Sequence, residues 1–137
     1  NCALDKNLKI IFCIGESEEE KNKSKTFEVI ENQIENILSS PCTPLNTVIA
    51  YEPVWAIGSG KIPKIDEIIN INNFIQKKLK LKFNDDFSYN YKIIYGGSVN
   101  TNNCKDILLS NNIDGVLIGG SSLIVDDFSK IVNFNKY

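Results

Sequence analysis

One carboxylate, Glu52, stands where an apolar run ends and a proline begins, in the stretch Tyr51-Glu52-Pro53-Val54-Trp55-Ala56-Ile57-Gly58-Ser59-Gly60-Lys61. The preceding Thr47-Val48-Ile49-Ala50 reads as a buried strand, so that strand ends by presenting an acid. Pro53 fixes its own φ and has no N–H with which to continue a ladder. Beyond it comes a loop with an apolar body and two glycines, Gly58 and Gly60. Loops usually face water and are polar. A loop this apolar is expected to lie down over something, while its glycines leave backbone N–H groups open to close approach. A carboxylate at a strand end beneath a movable apolar flap suits proton transfer away from water. A lone glutamate after a strand is often only a surface acid, and a lone Trp is usually core. The surrounding motif favours catalysis for Glu52 and lid packing for Trp55.

Two further turns could bind an anion. Gly96-Gly97-Ser98 and Gly119-Gly120-Ser121-Ser122 each follow an apolar run, and the second is expected to open a short helix. Double glycines singly often just make turns. Two of them after strands offer unobstructed N–H groups suited to phosphate. Other chemistries are missing. The chain has no histidine, so it supplies neither an imidazole metal ligand nor a Ser-His or Cys-His dyad. All 15 of its basic residues are lysines, dispersed along a chain of net charge -2, which argues against a nucleic-acid partner. Cys2, Cys13, Cys42 and Cys104 show no C-x-x-C spacing and read as reduced structural thiols of a cytoplasmic protein, with Cys13 as plain core. No run approaches the roughly 20 apolar residues of a membrane span. No metal, cofactor or membrane partner is expected.

The elements that must hold these groups alternate. Residues 9–16, 47–52, 91–97 and 115–120 are continuous apolar runs rich in β-branched residues, the mark of strands buried on both faces. Residues 18–38 carry Phe27, Ile30, Ile34, Ile37 and Leu38 at helical spacing. A second helix is predicted over 66–81 through Ile68, Ile71, Phe74, Ile75 and Leu79, with Asp66 as its candidate N-cap. Shorter helices are predicted over 102–110 and 125–134. Strand and helix in alternation imply βαβ units and a parallel sheet, an α/β fold of one domain. Every candidate residue falls immediately after a strand, the edge at which parallel α/β folds bind ligands.

With these residues in view, the chain resembles the triosephosphate isomerase family, specifically the C-terminal half of its (β/α)8 barrel with four parallel strands. Phe12-Cys13-Ile14-Gly15-Glu16, Ala50 to Lys61, the run from Ile93 to Val99 with Asn103-Cys104-Lys105, and the run from Asp114 to Leu123 resemble its fifth to eighth strands with their loops. The resemblance implies that Glu52 is the base moving a proton between dihydroxyacetone phosphate and glyceraldehyde 3-phosphate, in glycolysis and gluconeogenesis. It implies that Gly58, Ser98, Gly119 and Gly120 hold the substrate phosphate. By the same resemblance, Trp55, Ala56, Ile57, Ser59 and Gly60 would belong to the closing lid, with Tyr95 and Ser98 holding it shut and Glu16 pairing with Trp55. Read by themselves, Glu16 is open between helix cap and lid contact, and Tyr95 between barrel packing and lid support. Ser59 departs from the family's usual threonine, and Ile62-Pro63 from a small, non-proline pair at the lid's hinge.

A complete barrel takes roughly 250 residues, so residues 1–137 read as a C-terminal half-barrel fragment starting at the end of a helix. The expected partners are a triose phosphate, the N-terminal half of the same barrel and, in the intact enzyme, a second subunit of a homodimer. The family's electrophilic histidine belongs to the other half, so the fragment alone is expected to be inactive, and a plastid-type organelle stays open beside the cytoplasm. The alternatives are an inactive half-barrel that binds phosphorylated ligands or self-assembles, and another phosphate-binding barrel such as a sugar-phosphate epimerase. The lid motif argues against the epimerase.

Overall fold

Short runs of isoleucine, valine and aromatic residues fit a pleated surface better than a helix, and they become the strands. The computed structural model describes residues 2–39, 41–83 and 91–136, with Leu38 described by its backbone alone. Asn1 and the Leu38 side chain, both part of the sequence expectations, lie outside the described residues. Among these, β1 (Ile10–Ile14), β2 (Thr47–Tyr51), β3 (Lys92–Gly96) and β4 (Val116–Leu117) form one parallel sheet in the order β1-β2-β3-β4. The register pairs Ile14 with Tyr51, Tyr51 with Tyr95, and Tyr95 with Val116, so all four strands point the same way and end at one edge. This is the α/β alternation expected from the sequence.

The helices follow the apolar spacing, with corrections. The predicted 18–38 helix is two: α1 (Glu18–Asn22) and α2 (Thr26–Leu38). Ser17 starts α1 with a reciprocal cap: its side chain accepts from Glu20 N–H, and the Glu20 carboxylate accepts from Ser17 N–H at 2.7 Å. Those bonds hold the Glu20 carboxyl below the usual carboxylate range. Ser24, at φ 56, then turns the chain left-handed and separates the two helices. The helix α3 (Ile65–Phe83) begins one residue before Asp66, which is therefore in its first turn and not its cap. Glu67 instead reaches back to the Lys64 N–H at 3.3 Å. The last helices are α4 (Cys104–Leu108), shorter than predicted, and α5 (Val125–Val132), followed by a 3-10 turn.

One face of the sheet is fully covered. Ile14, Ile49, Tyr51, Ile93 and Tyr95 pack against Ile30, Ile34 and Ile37 of α2 and Ile68, Ile71, Ile75 and Leu79 of α3. Deep in α3, Asn72 donates to the Asn112 carbonyl at 2.9 Å. The opposite face does not meet the expectation of burial on both sides: Ile11 is 51% exposed and Cys13 is exposed. Cys13 is thus not core, because no described segment of this chain packs over that side of β1.

Candidate active site

Parallel register brings the last residues of neighbouring strands side by side, and Glu52 arrives between two glycines. Its N–H donates to the Ile14 carbonyl at 2.7 Å, continuing the ladder one step past β2. On one side, a Cβ on Gly15 would fall 2.1 Å from the Glu52 carbonyl oxygen; on the other, a Cβ on Gly96 would fall 3.1 Å from Glu52 Cγ. Only glycine fits at Gly15, and Gly96 lets the half-buried glutamate side chain lie flat across β3. Gln33 of α2 fixes Gly15 by accepting from its N–H at 2.8 Å and donating to its carbonyl at 3.1 Å. The Cys13 thiol lies against the Glu52 carboxylate. Although the residue is exposed, partial burial of its sulfur, then the hydrogen bond to Glu52 and that residue's charge, push the thiol up to about 11.

A cavity of about 540 Å³ opens beyond the strand ends, lined by Glu52, by Ile57, Gly58 and Gly60 of the lid, and by both glycine turns. Gly97 and Ser98 form one wall, Gly119, Gly120 and Ser121 another. The turns are joined, since Ser121 Oγ donates to the Val99 carbonyl at 3.2 Å. Gly119 stands before a 3-10 turn (Gly120–Leu123), the short helical start the sequence suggested. Among the described residues no lysine lines the cavity, so an anion there would meet backbone N–H groups beside one carboxylate.

The loop expected from the sequence to act as a lid runs from a 3-10 turn (Val54–Ala56) through Gly58 and Gly60, both left-handed at φ 64 and φ 76. A Cβ at either would touch nothing, so the demand for glycine there is conformational and not steric. Of its apolar body, Ala56 is buried and Trp55 partly so, while Ile57 stays 53% exposed at the cavity. Ser98 fastens the loop at two points. Its hydroxyl donates to the Ala56 carbonyl at 2.6 Å and accepts from Gly60 N–H at 3.0 Å. Asn100 and Asn103 both donate to the Ser98 carbonyl and keep that residue in its left-handed conformation, φ 46. Ser59 Oγ accepts from Lys61 N–H within the lid.

At the lid's base, Glu16 is only 1% exposed and accepts from Trp55 Nε1–H at 2.9 Å and from the Tyr51 hydroxyl at 3.2 Å. It does not cap α1, which Ser17 does. Burial and the Glu16 charge drive the Tyr51 phenol well above its ordinary range, so it stays a neutral donor. Tyr95 is fully buried and its hydroxyl has no hydrogen-bond partner among the described residues; it lies 3.0 Å from where a Gly97 Cβ would stand. Sequence reasoning missed Gly15, Gln33, Asn100 and Asn103, which support Glu52 and Ser98 and carry no chemistry of their own, and it took Gly96 for part of an anion-binding turn and not for the neighbour of Glu52. The register was the available signal for Gly15, the residue level with Glu52.

Comparison with known proteins bears on the family and the fold. The family model described as Triosephosphate isomerase matches residues 1–135. The triosephosphate isomerase of Alkaliphilus metalliredigens is 42% identical over 136 residues, covering 96% of this chain and 54% of that protein. The chloroplastic triosephosphate isomerase of Secale cereale is 42% identical over 131 residues, covering 96% of this chain and 44% of the relative. The crystal structure of triosephosphate isomerase from Bartonella henselae superposes with a TM-score of 0.86 at 32% identity, covering 98% of this chain and 53% of that one. The chain therefore spans about half the length of the curated relatives it matches.

Proposed function

The chain belongs to the triosephosphate isomerase family, and from that premise we propose that it forms the C-terminal half of a barrel interconverting dihydroxyacetone phosphate and glyceraldehyde 3-phosphate. Glu52 takes a proton from the carbon beside the substrate carbonyl and returns it to the neighbouring carbon through an enediol(ate). Backbone groups at Gly58, Ser98, Gly119 and Gly120 hold the phosphate, which positions the reacting carbons against the carboxylate. The lid, anchored by Ser98 and based on the Glu16–Trp55 pair, excludes water and so discourages loss of phosphate from the intermediate. The group that polarises the carbonyl is supplied from outside this chain, which holds no histidine. A homodimer of completed barrels is part of the same proposal. So is a cytoplasmic location; fractionation into a plastid-type organelle would overturn that location.

The observation that supports this reading is the convergence of Glu52, the lid glycines and both glycine turns on one cavity. Its test is Glu52→Asp in the completed barrel. Withdrawing the carboxylate by one methylene is expected to lower kcat by about a hundredfold or more, with KM changed far less. A variant as active as the unmodified enzyme would remove Glu52 from the role of base. The open inner face of β1 favours one second reading, a half-barrel that binds phosphorylated ligands without turning them over. Retained phosphate binding with activity absent from the completed barrel would select it.

A further inference from the structure

A five-residue helix, α1, grips the lid from outside. Glu16, just before it, takes the edge of Trp55 through the indole N–H at 2.9 Å, and its carbonyl accepts Val54 N–H at 3.0 Å. Lys21, inside it, places its ammonium 3.8 Å from the centre of the Trp55 ring, covering the indole's face. The same ammonium reaches Glu67 of α3 at 3.4 Å, and Glu67 also accepts the Lys64 N–H just past the lid's far hinge. Glu18 meets Lys61, at the lid's end, at 3.0 Å. A single short segment thus touches the lid's entry, its exit and the helix that follows. The Ser17–Glu20 cap stiffens the piece that does so.

We propose that α1 is a latch for the lid and that Lys21 is its positioning residue, holding the Trp55 indole in the orientation from which the lid closes over the cavity. The inference rests on the isomerase reading for its catalytic consequence but not for its geometry. Lys21 touches neither the cavity nor Glu52; it acts through Trp55. The Glu18–Lys61 pair, 62% exposed at each end, contributes little by itself. The cation on the indole face is the stronger hold. A hollow of about 270 Å³ lies beside Lys21, between Phe27, Tyr51, Glu67 and Ile71. The lysine is therefore not wedged into core packing, and removing its charge leaves the packed isoleucines in place.

The experiment compares Lys21→Met, which keeps an unbranched apolar stem, with Lys21→Arg, which restores a cation, in the completed barrel. Exchange broadening of the Trp55 indole N–H resonance reads the lid directly. In Lys21→Met it is expected to report lid exchange about two- to fivefold faster, the range commanded by a partly exposed cation on an aromatic face. The kcat should fall by a similar factor while KM stays within about twofold, and Lys21→Arg should return both readings to those of the unmodified protein. Unchanged indole exchange in Lys21→Met overturns the proposal, even if the melting temperature drops. Altered exchange with kcat unchanged also overturns it. If the unmodified barrel has no isomerase activity while indole exchange still responds, the function reading fails and the latch stands.

Discussion

Glu52 owes its position to what its neighbours lack. Two glycines, Gly15 and Gly96, flank it on the adjoining strands, and each makes a different allowance. At Gly15 the obstacle to a methyl is backbone, at 2.1 Å, and backbone cannot swing aside. Gly15→Ala is therefore expected to destabilise the fold by about 3 kcal/mol, read as a lowered denaturation midpoint. At Gly96 the obstacle is the glutamate's own side chain at 3.1–3.3 Å, so Gly96→Ala should displace the carboxylate and lower activity by about a hundredfold while melting near the unmodified temperature. The reverse ranking, with Gly96→Ala unfolding and Gly15→Ala silent, would contradict this assignment. Cys13 is the other neighbour. The folded chain holds its proton more tightly than an unfolded one, so this contribution to stability is present below the ordinary value of 9.0 and is lost as pH rises through it towards about 11. At about pH 8, alkylation of Cys13 should be about tenfold slower in the folded protein than in urea, because the nucleophilic thiolate is about a hundredfold scarcer while its intrinsic reactivity rises by about tenfold; equal rates would refute the contact. Glu52 was legible in the sequence because a strand, an acid and a proline follow one another locally. The glycines that admit it were not, since their meaning appears only when separate strands come into register.

Among the elements, the lid and its hinges carry the clearest mechanical features. Gly58 and Gly60 supply the left-handed turns, Ser98 ties the loop down, and α1 supports it from behind. Pro63 is buried at the far hinge and restricts Ile62 before it. In the completed barrel, Pro63→Ala should give this hinge more backbone freedom and change the rate of lid opening by a few-fold, measured by relaxation dispersion on lid resonances. An unchanged dispersion profile would show that the proline does not govern the motion. The unusual make-up of this loop, an apolar body with paired glycines, could be read from its residues. The division of residues 18–38 into α1 and α2 could not. Its helical apolar spacing begins only at Phe27, and the left-handed residue that divides the stretch is Ser24, with no glycine or proline to announce a break. The cap at Ser17, a Ser-x-x-Glu spacing that went unread in the sequence, matters for what α1 touches, which spacing along one chain does not tell.

For the whole molecule, alternation of strands and helices was enough to give a parallel sheet, because parallel neighbours require crossovers. What alternation does not give is which side each strand covers. Continuous hydrophobicity led to an expectation of burial on both faces, whereas on the face away from α2 and α3 Ile11 and Cys13 stay exposed although Ala50 is buried. The apolar surface left over is organised. Leu8 is 58% exposed and Ile11 51% exposed near the β1 edge, and beyond β4 the exposures are 86% for Leu123, 82% for Val125 and 60% for Val132. β1 and β4 are the end strands of the sheet among the described residues, and apolar side chains near both ends stay exposed, a combination that favours pairing with another chain. Closing a barrel would cover both edges and the inner face together. We therefore expect the 137-residue chain alone to self-associate and bind a hydrophobic dye in sedimentation and fluorescence experiments. Adding a polypeptide that supplies the missing half should yield a monodisperse, cooperatively melting species with the dye released. A chain that sediments by itself as a well-folded monomer with no dye bound would show that its edges need no partner. The half-barrel proposal would then fall, although the geometry around Glu52 would remain.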